Sequence, residues 1–454
     1  MTTVVSFVAV IGILILIHEL GHFLVARWVG VGVERFSIGF GRVLVRWRGK
    51  ETEYCLSAIP MGGYVKMMGE ENPLEGGETL PYDSKKAFAL KPLWARFLIV
   101  FAGPGMNFVL AAVIVAVVLA SAGRPVWPAV AGRVAEDGPA AAAGLRSGDV
   151  ITAIEGRPVS YWEDVDRAVA AANGRALALT VKRGDTTQTV QVTPQKTTIQ
   201  DPILREEKTA WEIGASAKSV PQISSVGAGS PAETAGLRPG DVVIEIAGQH
   251  VYSREDLIEA IRARPGQVVA IGVEREGRRL TLNVTPNVVE DKSAKGEVVK
   301  VGRIEAQIGI QAMTFVAYHP VPALWHGLTW TKDMTVMTIK GFGKLVVGTI
   351  DRSNIGGPIQ IASMAGQQAR EGLAPLAMFT AIISVNLAVL NLLPVPMLDG
   401  GHLFFFVIEA VLGRPLSLRK REAAQQVGFV LLMLLMVYAL YNDVVRLNWF
   451  NFLK

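Results

Sequence analysis

Apolar residues run almost unbroken from Val4 to Ala26, matching the roughly 20 positions a helix needs to cross a bilayer. Three further runs of this kind occur, at about Phe97–Ala122, Leu373–Leu393 and Ala424–Tyr441. Elsewhere the periodicity changes. Val43, Val45 and Trp47 alternate with Arg42, Leu44, Arg46 and Arg48, and the alternation resumes after Gly49-Lys50 at Thr52, Tyr54, Leu56 and Ala58. That predicts a β-hairpin with one apolar face. Pro320–Val347 sets Trp325, Trp330 and Phe342 among Lys332, Lys340 and Lys344, which suits a helix lying at a membrane surface. Asn354-Ile355-Gly356-Gly357-Pro358 reads as a turn.

Between the second and third runs the chain repeats itself. Gly138-Pro139 leads through Gly144-Leu145-Arg146 to Ser147-Gly148-Asp149, and a near copy runs from Ser230 through Gly236-Leu237-Arg238 to Gly240-Asp241. The offset is 92 residues (236 minus 144). A helix candidate follows in each copy, at Glu163–Ala171 and Arg254–Ala263, and alternating strands come after. A repeat of this length with these signals predicts tandem domains. The A-G-L-x-x-G-D-x-I pattern resembles bacterial PDZ domains, at 126–216 and 220–312. The resemblance implies binding of extended peptides or C-termini along a sheet edge, or a steric filter where that binding has been lost.

Composition changes the picture in three ways. With 454 residues, 50% hydrophobic, and a mean hydropathy of +0.34, the chain reads as a membrane protein with sizeable soluble parts. The net charge of +5 includes no basic tract long enough for a nucleic-acid footprint, so charge is read through topology. Basic residues crowd the stretch from Arg27 to Arg96 and recur at Arg414, Arg419, Lys420 and Arg421. The positive-inside rule makes both stretches cytoplasmic and the repeats extracytoplasmic. Finally, Cys55 is the single cysteine, which excludes intramolecular disulfides and cysteine zinc sites. The first apolar run has no Lys or Arg before Arg27 and no small-residue cleavage site, so it is expected to stay in the mature protein.

That first run contains His18-Glu19-Leu20-Gly21-His22. Ionisable groups near a bilayer centre cost about 2.5–3.5 kcal/mol each on insertion scales, so they need a use. His18 and His22 leave one helix face a turn apart, the H-E-x-x-H arrangement in which two imidazoles hold zinc and the glutamate handles a proton. A catalytic zinc usually takes three protein ligands. Candidates for the third are Asp399, His402, Glu409 and residues of the repeats, the last set aside because they lie on the other side of the membrane. Topology favours Asp399, because the first and third runs share a direction and Asp399 follows the Pro394–Pro396 break at the inner end. In the second run Gly103-Pro104 marks a kink or close packing, and Asn107 is the one strongly polar side chain, a candidate to face the site and bind substrate there.

In combination these motifs resemble the site-2 protease family of intramembrane zinc metalloproteases, in its bacterial branch with tandem PDZ domains. The motifs are H-E-x-x-H, G-P-x-x-N at Gly103–Asn107, the paired repeats, and N-x-x-P-x-P-x-L-D-G from Asn391 to Gly400. The resemblance implies a polytopic α-helical membrane protein with four transmembrane helices. Two α+β PDZ domains sit between spans two and three, beside a small cytoplasmic β-hairpin element. Its implied divisions are span one 1–26, cytoplasmic loop 27–96, span two 97–122, surface helix and linker 313–372, span three 373–400, cytoplasmic loop 401–423 and span four 424–446. It implies Zn2+ on His18, His22 and Asp399, Glu19 as the catalytic residue, and Asn391, Pro394 and Pro396 at the substrate. Single-span membrane proteins such as anti-sigma factors and remnant signal peptides are the implied substrates, at the bacterial inner membrane, with the active site toward the cytoplasm. Peptide C-termini at the PDZ pair and membrane lipid are the other implied partners. A catalytically inactive PDZ scaffold would predict a broken ligand set, whereas all four residues are present. A metal transporter would want polar groups at several depths, and the fourth run offers almost none.

Overall fold

The computed structural model describes residues 2–70, 83–200, 207–292, 298–311, 314–349 and 356–446; Asn354 and Ile355 of the expected turn lie outside them. The chain divides into two units, Met1–Ala122 with Ala317–Lys454, and Gly123–Val316.

The first unit begins with helix α1 (Thr2–Trp28), strands β1 (Val33–Arg48) and β2 (Glu53–Met67), and helix α2 (Leu93–Ser121). The strands form the expected antiparallel hairpin, but they extend further and fold over. Gly39 and Gly41 take φ of 88° and 84°, a region that costs other residues strain, and there β1 turns. Its outer half, Val43–Arg48, pairs with Glu53–Ser57. Its inner half, Val33–Ile38, pairs with both Glu53–Leu56 and Gly63–Met67. The buried face is therefore Val33, Phe36, Val65 and Met67, packed on Ala26, Val31 and Ile99. The face that alternation predicts is not buried in protein: Val45 and Trp47 are exposed.

The second unit holds the repeats. The first contains helices α3 (Pro139–Ala142) and α4 (Trp162–Ala172), the second α5 (Pro231–Thr234) and α6 (Arg254–Arg262). Strands Val150–Ile154, Leu177–Arg183 and Thr186–Val192 recur 92 positions on as Val242–Ile246, Val269–Arg275 and Arg278–Val284. Each repeat closes its own core, with Ile151, Val165, Leu179 and Val181 in one and Val243, Leu257, Ile271 and Val273 in the other. The aspartate of each Gly-Asp signature proves to be a clamp. Asp149, 1% exposed, accepts hydrogen bonds from the Arg146 backbone N–H (2.8 Å) and from Arg183 Nε and Nη2 (2.7 Å each), while Arg183 also donates to Gly144 O (2.7 Å). Asp241 repeats every contact with Arg238, Arg275 and Gly236. Burial alone would raise these carboxyls, but the arginine and backbone hydrogen bonds outweigh it and hold both below the ordinary carboxylate value.

The first unit resumes with α7 (Pro320–Val347), α8 (Pro358–Glu371), α9 (Leu373–Leu392), α10 (Asp399–Leu412) and α11 (Leu418–Arg446). Among the described residues, four helices are long and apolar enough to cross a membrane: α1, α2, α9 and the Arg419–Val445 part of α11. Helix α7, which the sequence pattern lays on the membrane surface, packs lengthwise on α2 and α9. Its Trp330, Met334 and Phe342 meet Ala111, Val115, Ala381 and Val385, and Thr338 Oγ1 donates to Asn386 Oδ1 (2.9 Å). The stretch read as loop 401–423 begins inside α10, whose Leu403 and Phe406 pack on Val100. Its apolar run is too short for a span, which is why periodicity gave no separate element there. At the far end, Asp443 of α11 caps α8, accepting from the N–H groups of Gly357 (2.8 Å), Ile359 (2.9 Å) and Gln360 (3.2 Å).

Candidate metal centre

Three helices meet around two imidazoles. His18 and His22 of α1 are both buried, and α2 supplies the wall behind them. Gly103 makes the approach possible, since a Cβ there would collide with the His22 ring and stand 2.9 Å from His18 Cε1. His22 Nδ1 lies 2.8 Å from Ile99 O. Only a ring that carries its proton on Nδ1 can donate that bond, so Nε2 keeps a lone pair to offer a metal.

The third element arrives after α9 stops at Leu392. Pro394 and Pro396 cannot donate backbone bonds, and the segment folds back on the start of α10. Gly400 and Gly401 permit this, because a Cβ on either would collide with carbonyls at Leu393 or Val395. Asp399 becomes the first residue of α10, where the helix N-terminus favours a carboxylate.

The donor atoms converge. His18 Nε2 stands 3.2 Å from His22 Nε2 and 3.1 Å from Asp399 Oδ2, and His22 Nε2 stands 3.6 Å from Asp399 Oδ1. With metal–donor bonds of about 2.0–2.1 Å, the edge of a zinc tetrahedron is about 3.3 Å. The separation of the two imidazole nitrogens is close to that length, one donor atom from each of the three residues lies within 4.8 Å of the others, and the donor set of two imidazoles and a carboxylate is one zinc takes. Among the described residues these three form the group of histidine, cysteine and acidic side chains close enough to share an ion.

The other sequence candidates are distributed around this centre. Glu19 is half-buried and lies against β2, where a Cβ on Gly63 would be 3.0 Å from its Cγ. His402 is exposed. Glu409 is engaged by Arg96 at 2.6 and 3.2 Å, so it is committed elsewhere. Asn391 sits half-buried on the last turn of α9, Pro394 is exposed and Pro396 half-buried. Asn107 is fully buried, its Nδ2 3.4 Å from His18 Nδ1. Sequence reasoning missed the contribution of Ile99, whose carbonyl would serve in any residue type; the signals available on that wall were the Gly103-Pro104 pair and Asn107.

A second concave feature lies in the second repeat. Strand Ala306–Ile310 is at a sheet edge, and between it and α6 is a cavity of about 350 Å³. Ile258, Ile261 and Ile308 line it together with Arg254 and Arg303. In the first repeat strand Glu207–Glu212 corresponds to Val298–Arg303, so Trp211 occupies the position of Gly302 and packs on the core there.

A model of peptidase family M50 matches residues 6–435. The chain is 38% identical over 462 residues to a Ralstonia nicotianae protein that bears a zinc metalloprotease name, covering 98% of this chain and 99% of the relative. It is 34% identical over 461 residues to the regulator of sigma-E protease RseP of Escherichia coli, covering 97% of this chain and 98% of the relative. Among solved structures, a PDZ domain of an SdrC-like protein from Listeria monocytogenes aligns at 21% identity over 20% of this chain and 86% of its own, with a TM-score of 0.16.

Proposed function

The chain belongs to peptidase family M50, the site-2 protease family, and from that premise we propose that His18, His22 and Asp399 hold its zinc while Glu19 moves the proton during peptide hydrolysis. The protein is a zinc metalloendopeptidase of the site-2 protease type, in a multi-pass membrane chain. The observation that carries the ligand assignment is the triangle of 3.1, 3.2 and 3.6 Å between the three donor side chains.

Zinc, when bound, supplies a Lewis acid that polarises a carbonyl and acidifies water. The chain's residues do the rest. Glu19, one residue along the helix from His18, takes a proton from the attacking water and returns it to the leaving amine. A helical substrate hides its carbonyls in its own hydrogen bonds and must unwind before attack. The edge of β2 at Gly63, beside Glu19, suits an unwound strand by addition, and Asn391 with the Pro394–Pro396 break receives the freed backbone groups.

Single-span membrane proteins are the substrates of this reading, anti-sigma factors and remnant signal peptides among them. The repeats act as PDZ domains on the extracytoplasmic side and screen what reaches the span. The open groove of the second repeat suits a peptide end, and in the first repeat Trp211 stands at the position of Gly302. The active site faces the cytoplasm, with the basic stretches beside it.

The test is cleavage of a tagged single-span protein, shortened on its outer side, by the wild type and Glu19→Gln, with zinc measured on both. The expected result is cleavage by wild type alone and zinc in both. Cleavage by Glu19→Gln at the wild-type rate would remove Glu19 from the chemistry, and zinc retained after His18→Ala and Asp399→Ala together would refute the ligand set.

A further inference from the structure

Resting on this zinc assignment, we infer that Asn107 is a positioning residue that fixes the tautomer of His18, presenting its side-chain oxygen to His18 Nδ1–H. The two histidines are held differently. His22 has a backbone carbonyl, Ile99 O, at its Nδ1. Among the described residues, the group at His18 Nδ1 is the Asn107 amide, 3.4 Å away through Nδ2. His18 Nε2 is the nitrogen that faces His22 and Asp399. A neutral imidazole that offers Nε2 to a metal carries its proton on Nδ1, and that proton needs an acceptor.

An amide nitrogen cannot accept, but the other end of the same amide can. Asn107 is 0% exposed, and its Oδ1 is a buried polar atom without a hydrogen-bond partner. Such an orphan costs about 1–3 kcal/mol. A half-turn of the amide, whose two ends are nearly identical in shape, brings Oδ1 to His18 Nδ1–H and moves the NH2 group to the place Oδ1 held. Oδ1 then meets Nδ1–H, and the lone pair of His18 Nε2 points at the donors opposite.

The rest of Asn107 is fixed for this task. Its own carbonyl accepts from Ser384 Oγ of α9 at 2.7 Å, which anchors the α2 backbone at this level. Burial behind the His18 ring also keeps the side chain away from any substrate, so its effect passes through His18.

The test compares full-length wild type with Asn107→Asp, which keeps size and acceptor, and Asn107→Leu, which keeps approximate size and has no acceptor. Zinc affinity is read by chelator competition, and site geometry by the visible absorption of the cobalt-substituted protein. Asn107→Leu should bind zinc roughly 10–100-fold more weakly, the scale of lost outer-shell partners, with a shifted cobalt spectrum. Asn107→Asp should remain near wild type in both. Wild-type affinity in Asn107→Leu, or equal loss in both variants, overturns the inference while leaving the zinc ligands standing. A wild type that binds no zinc, or binds it undiminished after His18→Ala, overturns the ligand assignment and this inference with it. If Asn107→Leu does not fold, Asn107→Ala serves as the variant without an acceptor, read the same way.

Discussion

Arg96 Nη2 and Glu409 Oε1 stand 2.6 Å apart although 313 positions separate them, and both side chains are nearly buried. Arg96 also lies over the Phe406 ring, 5.1 Å from its centroid. The pair fastens the start of α2 to the helix whose first residue is Asp399. Removing one partner of such a pair leaves a stranded charge at a cost of about 3–5 kcal/mol, whereas replacing both with apolar groups is often close to neutral. Glu409→Leu should therefore lower thermal stability and weaken zinc binding, and Arg96→Met with Glu409→Leu should restore most of both. Thermal unfolding in detergent with chelator competition measures this. A double variant as poor as the single one would mean that the charges themselves are needed.

Gly103 and Gly105 lie on the same helix and offer a controlled comparison. A methyl on Gly103 collides with the imidazoles, while one on Gly105 meets only the Phe101 ring at 3.5 Å. Gly103→Ala should reduce zinc affinity roughly tenfold or more, as disturbed outer shells do. Gly105→Ala should leave it within a factor of two. Competition against a chelator distinguishes them, and equal behaviour would show that the histidines are not seated against α2.

The paired clamps in the repeats set an acid limit. Asp149 and Asp241 titrate lower in the folded protein than in the unfolded chain, where the ordinary value is about 3.9. Their contribution is thus complete above that value and disappears as pH falls through the lower, folded one. Protection of the backbone amides in both repeats, taken relative to the intrinsic exchange rate at each pH, should hold down to about pH 4 and fall below it. In Arg183→Ala the buried Asp149 carboxylate loses its partner, so the first repeat should be less stable at neutral pH and the second should not change. Equal loss in both would show that the repeats do not unfold separately.

Asp443 is the N-terminal cap of α8, supplied from another helix. Capping residues are worth about 0.5–2 kcal/mol. Asp443→Ala should speed amide exchange in the first turn of Pro358–Glu371, with Asp443→Asn between it and wild type. Unchanged exchange would mean that the hydrogen bonds to Gly357, Ile359 and Gln360 contribute nothing.

Legibility followed how local each signal was. The His18-Glu19-His22 spacing and the Gly-Asp repeats are periodic within one element, so their placement could be read directly. The doubled hairpin could not, because Gly39 and Gly41 break the alternation of β1 where it folds over. The position of α7 escaped for another reason. Its lysines mark a polar face, but Gly327, which permits close approach to Ala112, looks like any other glycine in sequence. Glu409 could be read as a ligand because its partner lies 313 residues away.

The metal donors also carry a schedule. His22 and Asp399 are 377 positions apart (399 minus 22), with α2, both repeats and α9 between them. At roughly 5–20 residues per second of synthesis, Asp399 is made about 20–75 s after the histidines. Throughout that interval the growing chain already lies among other membrane proteins with two histidines and no third donor. On the proposed ligand set, the zinc site is incomplete until Asp399, the last of its three donors, has been made.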